Sequence, residues 1–125
     1  MKIREIMNKA VVIDSNIDIK KAAQLMSKMG IGSLVFLKDN KIKGIVTERD
    51  IIKNVCTPSK KISSIMTKKV ISIDLDSILD NATSVMTSKK IKRLLVTEKG
   101  KLVGIITATD VIANTDILNE DLDFI

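Results

Sequence analysis

The stretch GIVTERD at residues 44–50 recurs as GIITATD at residues 104–110. Around these stretches, the segment 22–52 aligns without a gap with the segment 82–112, at an offset of 60 residues. An internal repeat is the first feature to seek in a sequence, because its period identifies the structural unit of the fold. The chain is therefore predicted to contain two copies of one unit.

The repeat sets the predicted domain boundaries. Upstream of the gapless alignment, Ile6-Met7 matches Ile65-Met66 at an offset of 59, so one residue has been added near Ser72. The expected order is a first copy at 1–56, a linker with the only proline at 57–61, a second copy at 62–115 and an acidic tail at 116–125. We expect the tail to fray or to pack on a neighbour.

Each copy has the pattern β-α-β-β-α. In both, a short β-rich segment precedes a helix whose apolar residues recur at helical spacing, and a hairpin then leads into a second helix. For the first copy the pattern predicts a strand at Val11–Ile13, a helix face with Ile19, Ala22, Ala23, Met26 and Met29, strands at Ser33–Leu37 and Ile42–Val46, and a helix from Glu48 to about Val55. For the second copy it predicts a strand at Val70–Ile73, a helix face with Ile78, Ala82, Val85 and Met86, strands at Arg93–Val96 and Leu102–Ile106, and a helix from Ala108 to about Asn114.

The ends of these elements carry their own signals. The dipeptides Asp39-Asn40 and Lys99-Gly100 suit tight hairpin turns because they tolerate positive φ. Candidate caps precede the longer helices, at Ser15 or Asp18 and at Asp76 or Ser77. The predicted fold class is mixed α/β, with two β-α-β-β-α copies related by a pseudo-twofold axis and sharing one core, since 125 residues are few for two independent cores.

Composition excludes several function classes. The sequence has no histidine and one cysteine, Cys56, so it has no Ser-His-Asp or Cys-His site and no internal disulfide. Zinc has no His or Cys ligand set, and no carboxylate spacing indicates a dedicated cage for another metal. No apolar run approaches the roughly 18 residues of a membrane span, and no signal-peptide pattern opens the chain, which predicts a cytoplasmic protein. The net charge of +6 favours anionic partners, although the lysine pairs are scattered.

The matching pieces resemble a tandem pair of CBS domains, the cystathionine β-synthase type, also called a Bateman module. They are the Ile-Met at each start, the alanine-containing helix that ends in Met, the strands IGSLV and IKRLLV, and the two Gly-x-x-Thr-x-x-Asp stretches. The resemblance covers nearly the whole chain, although Val35 and Leu95 stand where the family often has proline. It implies a regulatory module that binds an adenosyl ligand, such as AMP, ADP, ATP or S-adenosylmethionine, in two clefts between the copies. It also implies a homodimer with four repeats in a disc, and gating of an unidentified partner protein by a stand-alone module.

The Thr-x-x-Asp spacing has two interpretations. Asp50 and Asp110 are suited to accept hydrogen bonds from a ribose diol, as acidic residues do in other nucleotide sites, while Thr47 and Thr107 bond ribose or phosphate oxygen at a helix N-terminus. The same spacing is also a helix capping box. The two roles can coexist, because a threonine can cap a helix and still face a cleft.

The resemblance implies different surroundings for the two aspartates. Charged residues just before the hairpin often reach phosphate in this family, and the second copy has Lys92 and Arg93 where the first has Gly32 and Ser33. The predicted site at Thr47 and Asp50 takes Lys92, Arg93 and Ser72; the predicted site at Thr107 and Asp110 takes Ile13, Asp14, Gly32, Ser33 and Arg49. We expect the first site to prefer a phosphorylated nucleotide and the second to bind more weakly or to take a less charged adenosyl ligand. The alternative for Lys92 and Arg93 is a solvated hairpin edge.

Three functions compete with ligand sensing. The second hypothesis is a dimerisation scaffold, in which the repeats serve only assembly and the clefts are empty. Nucleic-acid binding would use the basic surface and would weaken steeply with salt, but two phenylalanines are the only aromatic residues available for base stacking. An enzyme is the weakest candidate, because no catalytic group has a partner; the prediction is that the protein is not an enzyme and uses no cofactor beyond the adenosyl ligand itself.

Overall fold

The computed structural model describes residues 1–115, and the predicted tail at 116–125 lies outside the described residues. The chain divides into two compact units. We call them the first unit, Ala10–Val70, and the second unit, Met1–Lys9 together with the chain from Ile71 onward. The predicted fold class, mixed α/β with two β-α-β-β-α repeats, is confirmed.

Each unit contains a three-stranded sheet and two helices. The first strand pairs parallel with the second, and the second pairs antiparallel with the third in a hairpin. In the first unit the elements are β1 (Val12–Ile13), α1 (Ile19–Met29), β2 (Ser33–Lys38), β3 (Lys41–Thr47) and α2 (Glu48–Lys53). In the second unit they are β4 (Ser72–Asp74), α3 (Leu79–Lys89), β5 (Arg93–Glu98), β6 (Lys101–Thr107) and α4 (Ala108–Ala113).

The hairpin turns form where the sequence predicts them. Asp39 and Asn40 have φ values of 54° and 60°, and Lys99 and Gly100 have 51° and 79°. Two successive residues with positive φ match the right-handed twist of the flanking strands, which is why such turns close two-residue hairpins. The turn sets the register of the nearest pairs, and each hairpin then shifts register once, between Phe36 and Leu37 in the first unit and between Val96 and Thr97 in the second.

The segments that begin the two sequence copies lie in the opposite units. Residues 1–9 lie in the second unit, where the Ile3 amide donates to the Ser77 carbonyl (2.9 Å) and the Leu79 amide to the Met1 carbonyl (3.0 Å). The equivalent segment around Ile62 lies in the first unit, where the Ile62 amide donates to the Ile17 carbonyl (2.9 Å). Each unit is therefore completed by the leading segment of the other copy. We call residues 1–9 and the equivalent segment around Ile62 the exchanged segments.

Buried apolar side chains form two clusters, one in each unit. Ile3 lies in the second-unit cluster, and Ile62 lies in the first-unit cluster. Each unit thus obtains one of its core side chains from the leading segment of the other copy. The expectation that the two copies share one core stays a prediction. No helix among residues 1–115 is long and apolar enough to cross a membrane.

The predicted caps of the longer helices have different outcomes. The prediction of Ser15 or Asp18 as the cap of α1 is confirmed at Asp18, whose side chain accepts a hydrogen bond from the Lys21 amide (2.8 Å). The prediction of Asp76 or Ser77 as the cap of α3 is wrong. The cap position is Ile78, which has no side-chain acceptor, and Asp76 pairs with Arg4 instead. Ile78, which the sequence analysis placed on the apolar face of this helix, is 48% exposed. Leu79 is buried instead.

Candidate functional site

Thr47 and Asp50 form a reciprocal cap at the start of α2. The Asp50 Oδ2 atom accepts hydrogen bonds from the Thr47 amide (2.9 Å) and from the Thr47 hydroxyl (3.1 Å). The Asp50 amide in turn donates to Thr47 Oγ1 (3.4 Å). The capping-box interpretation of this spacing is confirmed.

Thr107 and Asp110 repeat this arrangement at the start of α4. The Asp110 Oδ2 atom accepts from the Thr107 amide and the Thr107 hydroxyl, both at 2.8 Å, and the Asp110 amide donates to Thr107 Oγ1 at 3.2 Å. In both copies one carboxylate oxygen carries all the capping contacts. No residue among 1–115 donates a hydrogen bond to Oδ1 of Asp50 or of Asp110. Both aspartates are half-buried, so each keeps one acceptor atom available while it caps a helix.

The first-turn amides of α2 and α4 are partly occupied. The Glu48 amide donates to the Gly32 carbonyl (3.1 Å), and the Ala108 amide donates to the Lys92 carbonyl (2.8 Å). The amides of Asp50 and Asp110 are taken by the threonine hydroxyls. Fewer backbone donors therefore remain for a phosphate than a bare helix N-terminus would offer.

The residues before each hairpin lie beside the cap of their own unit. Ser33 of β2 stands opposite Thr47 of β3, and Arg93 of β5 stands opposite Thr107 of β6. Lys92 precedes Arg93 and is exposed, while Arg93 is half-buried. Within a unit, the structure thus brings Gly32 and Ser33 to Thr47, and Lys92 and Arg93 to Thr107.

The other predicted site residues lie at the ends of short elements. Ile13 is half-buried in β1 opposite Phe36, and Asp14 follows it on the surface. Ser72 begins β4 and is exposed, and so is Arg49 in the first turn of α2. The predicted grouping of Asp50 with Ser72, Lys92 and Arg93, and of Asp110 with the first-unit residues, joins residues of different units. It stays a prediction.

Asn8 is a site residue that sequence reasoning missed. Its side-chain amide donates to Asp110 Oδ2 at 2.9 Å. The repeat aligns Asn8 with Thr67, but this alignment does not indicate which aspartate either residue approaches. The two copies therefore differ next to the aspartate as well as in the residues before the hairpin.

The first unit also has an apolar groove between α1 and α2. Its volume is about 390 Å³, and its lining comprises Ala23, Met26, Ser27, Gly30, Ile31, Glu48, Ile51 and Ile52. Neither Thr47 nor Asp50 lines it. Within residues 1–115, no three His, Cys, Asp or Glu side chains are grouped as a metal site would require.

The comparison with protein families identifies the family of the repeat. The family model described as "CBS domain" matches twice, at residues 3–56 and 62–115. The chain belongs to the CBS domain family. Its fold is that of solved CBS proteins: the CBS domain pair of protein MJ0100, in complex with 5′-methylthioadenosine and S-adenosyl-L-methionine, superposes with a TM-score of 0.81 at 31% identity, over 89% of this chain and 92% of that one.

Other CBS relatives are similar over most of this chain. An uncharacterised protein of Pyrococcus horikoshii has a TM-score of 0.83 at 29% identity, over 90% of this chain and 89% of the other. MJ1426 of Methanocaldococcus jannaschii, also uncharacterised, is 29% identical over 90% of this chain and 89% of its own length.

Some relatives are longer proteins. The match to MJ1232 of Methanocaldococcus jannaschii is 30% identical and covers 80% of this chain but 34% of that protein. The inosine-5′-monophosphate dehydrogenase of Thermoplasma acidophilum is 33% identical over 86% of this chain and 22% of its own length. The similarity to that enzyme is confined to a part of it that has the size of this CBS pair.

Proposed function

We propose that this chain is a regulatory module that binds an adenosyl ligand and signals its presence to a partner protein. The observation that carries the proposal is the doubled Thr-x-x-Asp cap, in which Oδ1 of Asp50 and of Asp110 has no donor among residues 1–115. A free carboxylate oxygen beside a fixed one suits the two hydroxyl donors of a ribose. The 31% identical MJ0100 domain pair, solved with two adenosyl compounds, supports an adenosyl ligand here.

The two sites are proposed to differ in ligand. The Asp50 site would take a phosphorylated nucleotide such as AMP, ADP or ATP, with Lys92, Arg93 and Ser72 as its polar contacts. The Asp110 site would take a less charged ligand of the S-adenosylmethionine type, with Ile13, Asp14, Gly32, Ser33 and Arg49 near it. The proposal includes no catalytic step, because no nucleophile and no proton-transfer partner has been identified for either capped aspartate.

Substitution of each aspartate by asparagine separates binding from capping. Asparagine keeps one carbonyl oxygen, which can accept from the threonine amide as Oδ2 does now. Its NH₂ group then takes the place of Oδ1, where it donates instead of accepting and opposes a ribose hydroxyl donor. We therefore expect Asp50→Asn and Asp110→Asn to fold and each to lose ligand at its own site.

Titration calorimetry with AMP, ATP, S-adenosylmethionine and 5′-methylthioadenosine tests the proposal. Hydrogen bonds to a charged group contribute about 1.5–3 kcal/mol each, so one lost bond weakens binding at least tenfold. Thr47→Ser and Thr107→Ser keep the capping hydroxyl and serve as matched controls. Binding of none of these compounds by the wild-type chain would favour a scaffold whose sites are empty.

The apolar groove supports a homodimer as part of this proposal. Ile52 lines the groove and is 70% exposed. A large exposed apolar side chain on an apolar groove fits a surface that a second copy of the chain covers. Light scattering of the wild-type chain and of Ile52→Glu tests this: a dimer that dissociates on substitution supports the interface, and a wild-type monomer refutes it.

A further inference from the structure

The carboxylate of Asp110 is held by one more donor than the carboxylate of Asp50. Asp110 Oδ2 accepts from the Thr107 amide, the Thr107 hydroxyl and the Asn8 side-chain amide (2.9 Å). Asp50 Oδ2 accepts only the two equivalent donors of Thr47 among residues 1–115. The terminal torsion of an aspartate is intrinsically broad, so each added donor narrows the directions in which its free oxygen points.

Asn8 is itself fixed by backbone contacts. The backbone amide of Asn8 donates to the Ile105 carbonyl (2.8 Å), and the backbone carbonyl of Asn8 accepts from the Ile105 amide (2.9 Å). This close pairing requires glycine at position 104, because a Cβ there would stand 2.8 Å from the Asn8 carbonyl oxygen. These backbone contacts of the exchanged N-terminal segment hold the Asn8 side chain at a defined position beside Asp110.

The first unit repeats this backbone arrangement without the side-chain contact. The Thr67 amide donates to the Ile45 carbonyl (2.9 Å), and the Thr67 carbonyl accepts from the Ile45 amide (3.0 Å). A Cβ on Gly44 would stand 2.8 Å from the Thr67 carbonyl oxygen. The Thr67 side chain makes no hydrogen bond to Asp50. The difference in donors to the two aspartates is thus the exchange of Asn8 for Thr67 on matched backbones.

We propose that Asn8 is a positioning residue that fixes the Asp110 carboxylate for the vicinal hydroxyls of a ribosyl ligand. The inference rests on the proposed function and adds a basis for selectivity: the Asp110 site recognises the ribose more strictly than the Asp50 site does. With Oδ2 occupied by three donors, Oδ1 is left in one orientation to accept from the ligand. The Asp50 carboxylate, with two donors, keeps more freedom and discriminates less between ribose and its deoxy forms.

The test compares adenosine with 2′,3′-dideoxyadenosine, which has the same base but lacks both hydroxyls. The Asp110 site is measured by calorimetry in an Asp50→Asn background, with and without Asn8→Thr. We expect Asn8→Thr to weaken adenosine about two- to tenfold, the cost of ordering one side chain on binding, and to leave the dideoxy compound unchanged. A merely structural role for Asn8 would weaken both compounds equally.

The reciprocal variant guards against a loss caused by poor folding. Thr67→Asn, measured in an Asp110→Asn background, installs the missing donor beside Asp50 and is expected to increase the preference for adenosine over the dideoxy compound. Equal weakening of both ligands by Asn8→Thr, or no change with either variant, overturns the assignment of Asn8 while leaving the proposed function intact. Failure of the wild-type chain to bind adenosine and every other adenosyl compound overturns both.

Discussion

The side chain of Met66 packs directly against Gly44: a Cβ atom at position 44 would lie 2.7 Å from the Met66 sulfur. The same Cβ would lie 2.8 Å from the carbonyl oxygen of Thr67, which is backbone and cannot swing aside. Gly104 has the same relation to Met7 and to the Asn8 carbonyl. The glycine of each Gly-x-x-Thr-x-x-Asp stretch therefore leaves the space in which the exchanged segment packs against the sheet.

We predict that Gly44→Ala and Gly104→Ala each lower the free energy of unfolding by about 1–3 kcal/mol, the usual cost of forcing an extra carbon into a packed site. Urea denaturation followed by circular dichroism measures the change. Lys43→Ala, an exposed substitution in the same strand, is the control and should alter stability little. An alanine at either glycine that leaves the unfolding midpoint unchanged would contradict the close approach.

The exchanged segments also supply core side chains. Ile3 and Ile62 are both 0% exposed, and each belongs to the cluster of the unit that holds it. We predict that Ile3→Ala and Ile62→Ala each cost about 2–5 kcal/mol, whereas Ile3→Val costs about 0.5–1.5 kcal/mol, because the cavity left behind is smaller. Equilibrium unfolding in urea provides the measurement. A cost for Ile3→Ala no larger than that for Ile3→Val would mean that residues 1–9 do not complete the second unit.

These segments mark the limit of what the sequence predicts. The repeat, its elements and the capping boxes follow from local patterns, and all of them are found. Which unit receives Ile3 does not follow, because Ile3 and Ile62 are equivalent in the two copies and either would satisfy the same apolar gap. The contact of Asn8 with Asp110 depends on that exchange, and so it was missed as well.

The cap of α3 shows a second limit. Asp76 has the right residue type for a cap, but it stands two positions before the cap position, Ile78. Its carboxylate forms an ion pair with Arg4, which is 72 positions away in the chain. The helix boundary therefore lies later than the residue types predicted. The capping contacts of Asp50 and Asp110 were predictable because the partner threonine lies three residues away in the chain.

The ion pair of Arg4 with Asp76 predicts a pH dependence of stability. The hydrogen bond from Arg4 is the main effect that holds the pKa of Asp76 below its ordinary value. Desolvation opposes it, and the charges of Arg4 and Lys2 lower the pKa further. A carboxylate whose pKa is lowered by folding stabilises the native state above its unfolded pKa. That contribution is lost as the pH falls through the lower, folded pKa.

Arg4→Ala should therefore be less stable than the wild type at neutral pH, and the difference should shrink in acid as Asp76 becomes protonated. The side chains of Arg4 and Asp76 are 49% and 55% exposed, so the effect is small and decreases with added salt. Urea unfolding across the acidic range at low and high salt measures both dependences. Lys9→Ala, which removes an exposed charge from the same segment, is the control. A stability difference that stays constant in acid would contradict the assignment.

The last prediction concerns the two cations before the hairpin of the second unit. Lys92→Ala/Arg93→Ala is expected to weaken AMP and ATP at the Asp50 site, because each charge-assisted bond to phosphate contributes about 1.5–3 kcal/mol. Calorimetry in an Asp110→Asn background isolates that site, and an Asp50→Asn background isolates the other. Lys89→Ala/Lys101→Ala removes two exposed charges from the same unit and controls for the change in net charge.

The two backgrounds distinguish the placement of these cations. Arg93 stands opposite Thr107 in the β5–β6 register, and the backbone carbonyl of Lys92 accepts a hydrogen bond from the first amide of α4. Both residues therefore lie beside the Asp110 cap of their own unit. Weakening in the Asp110→Asn background supports their assignment to the Asp50 site. Weakening only in the Asp50→Asn background contradicts it and assigns them to Asp110 instead. Unchanged affinity in both identifies Lys92 and Arg93 as a solvated hairpin edge, and the proposed preference of the Asp50 site for phosphate then loses its physical basis.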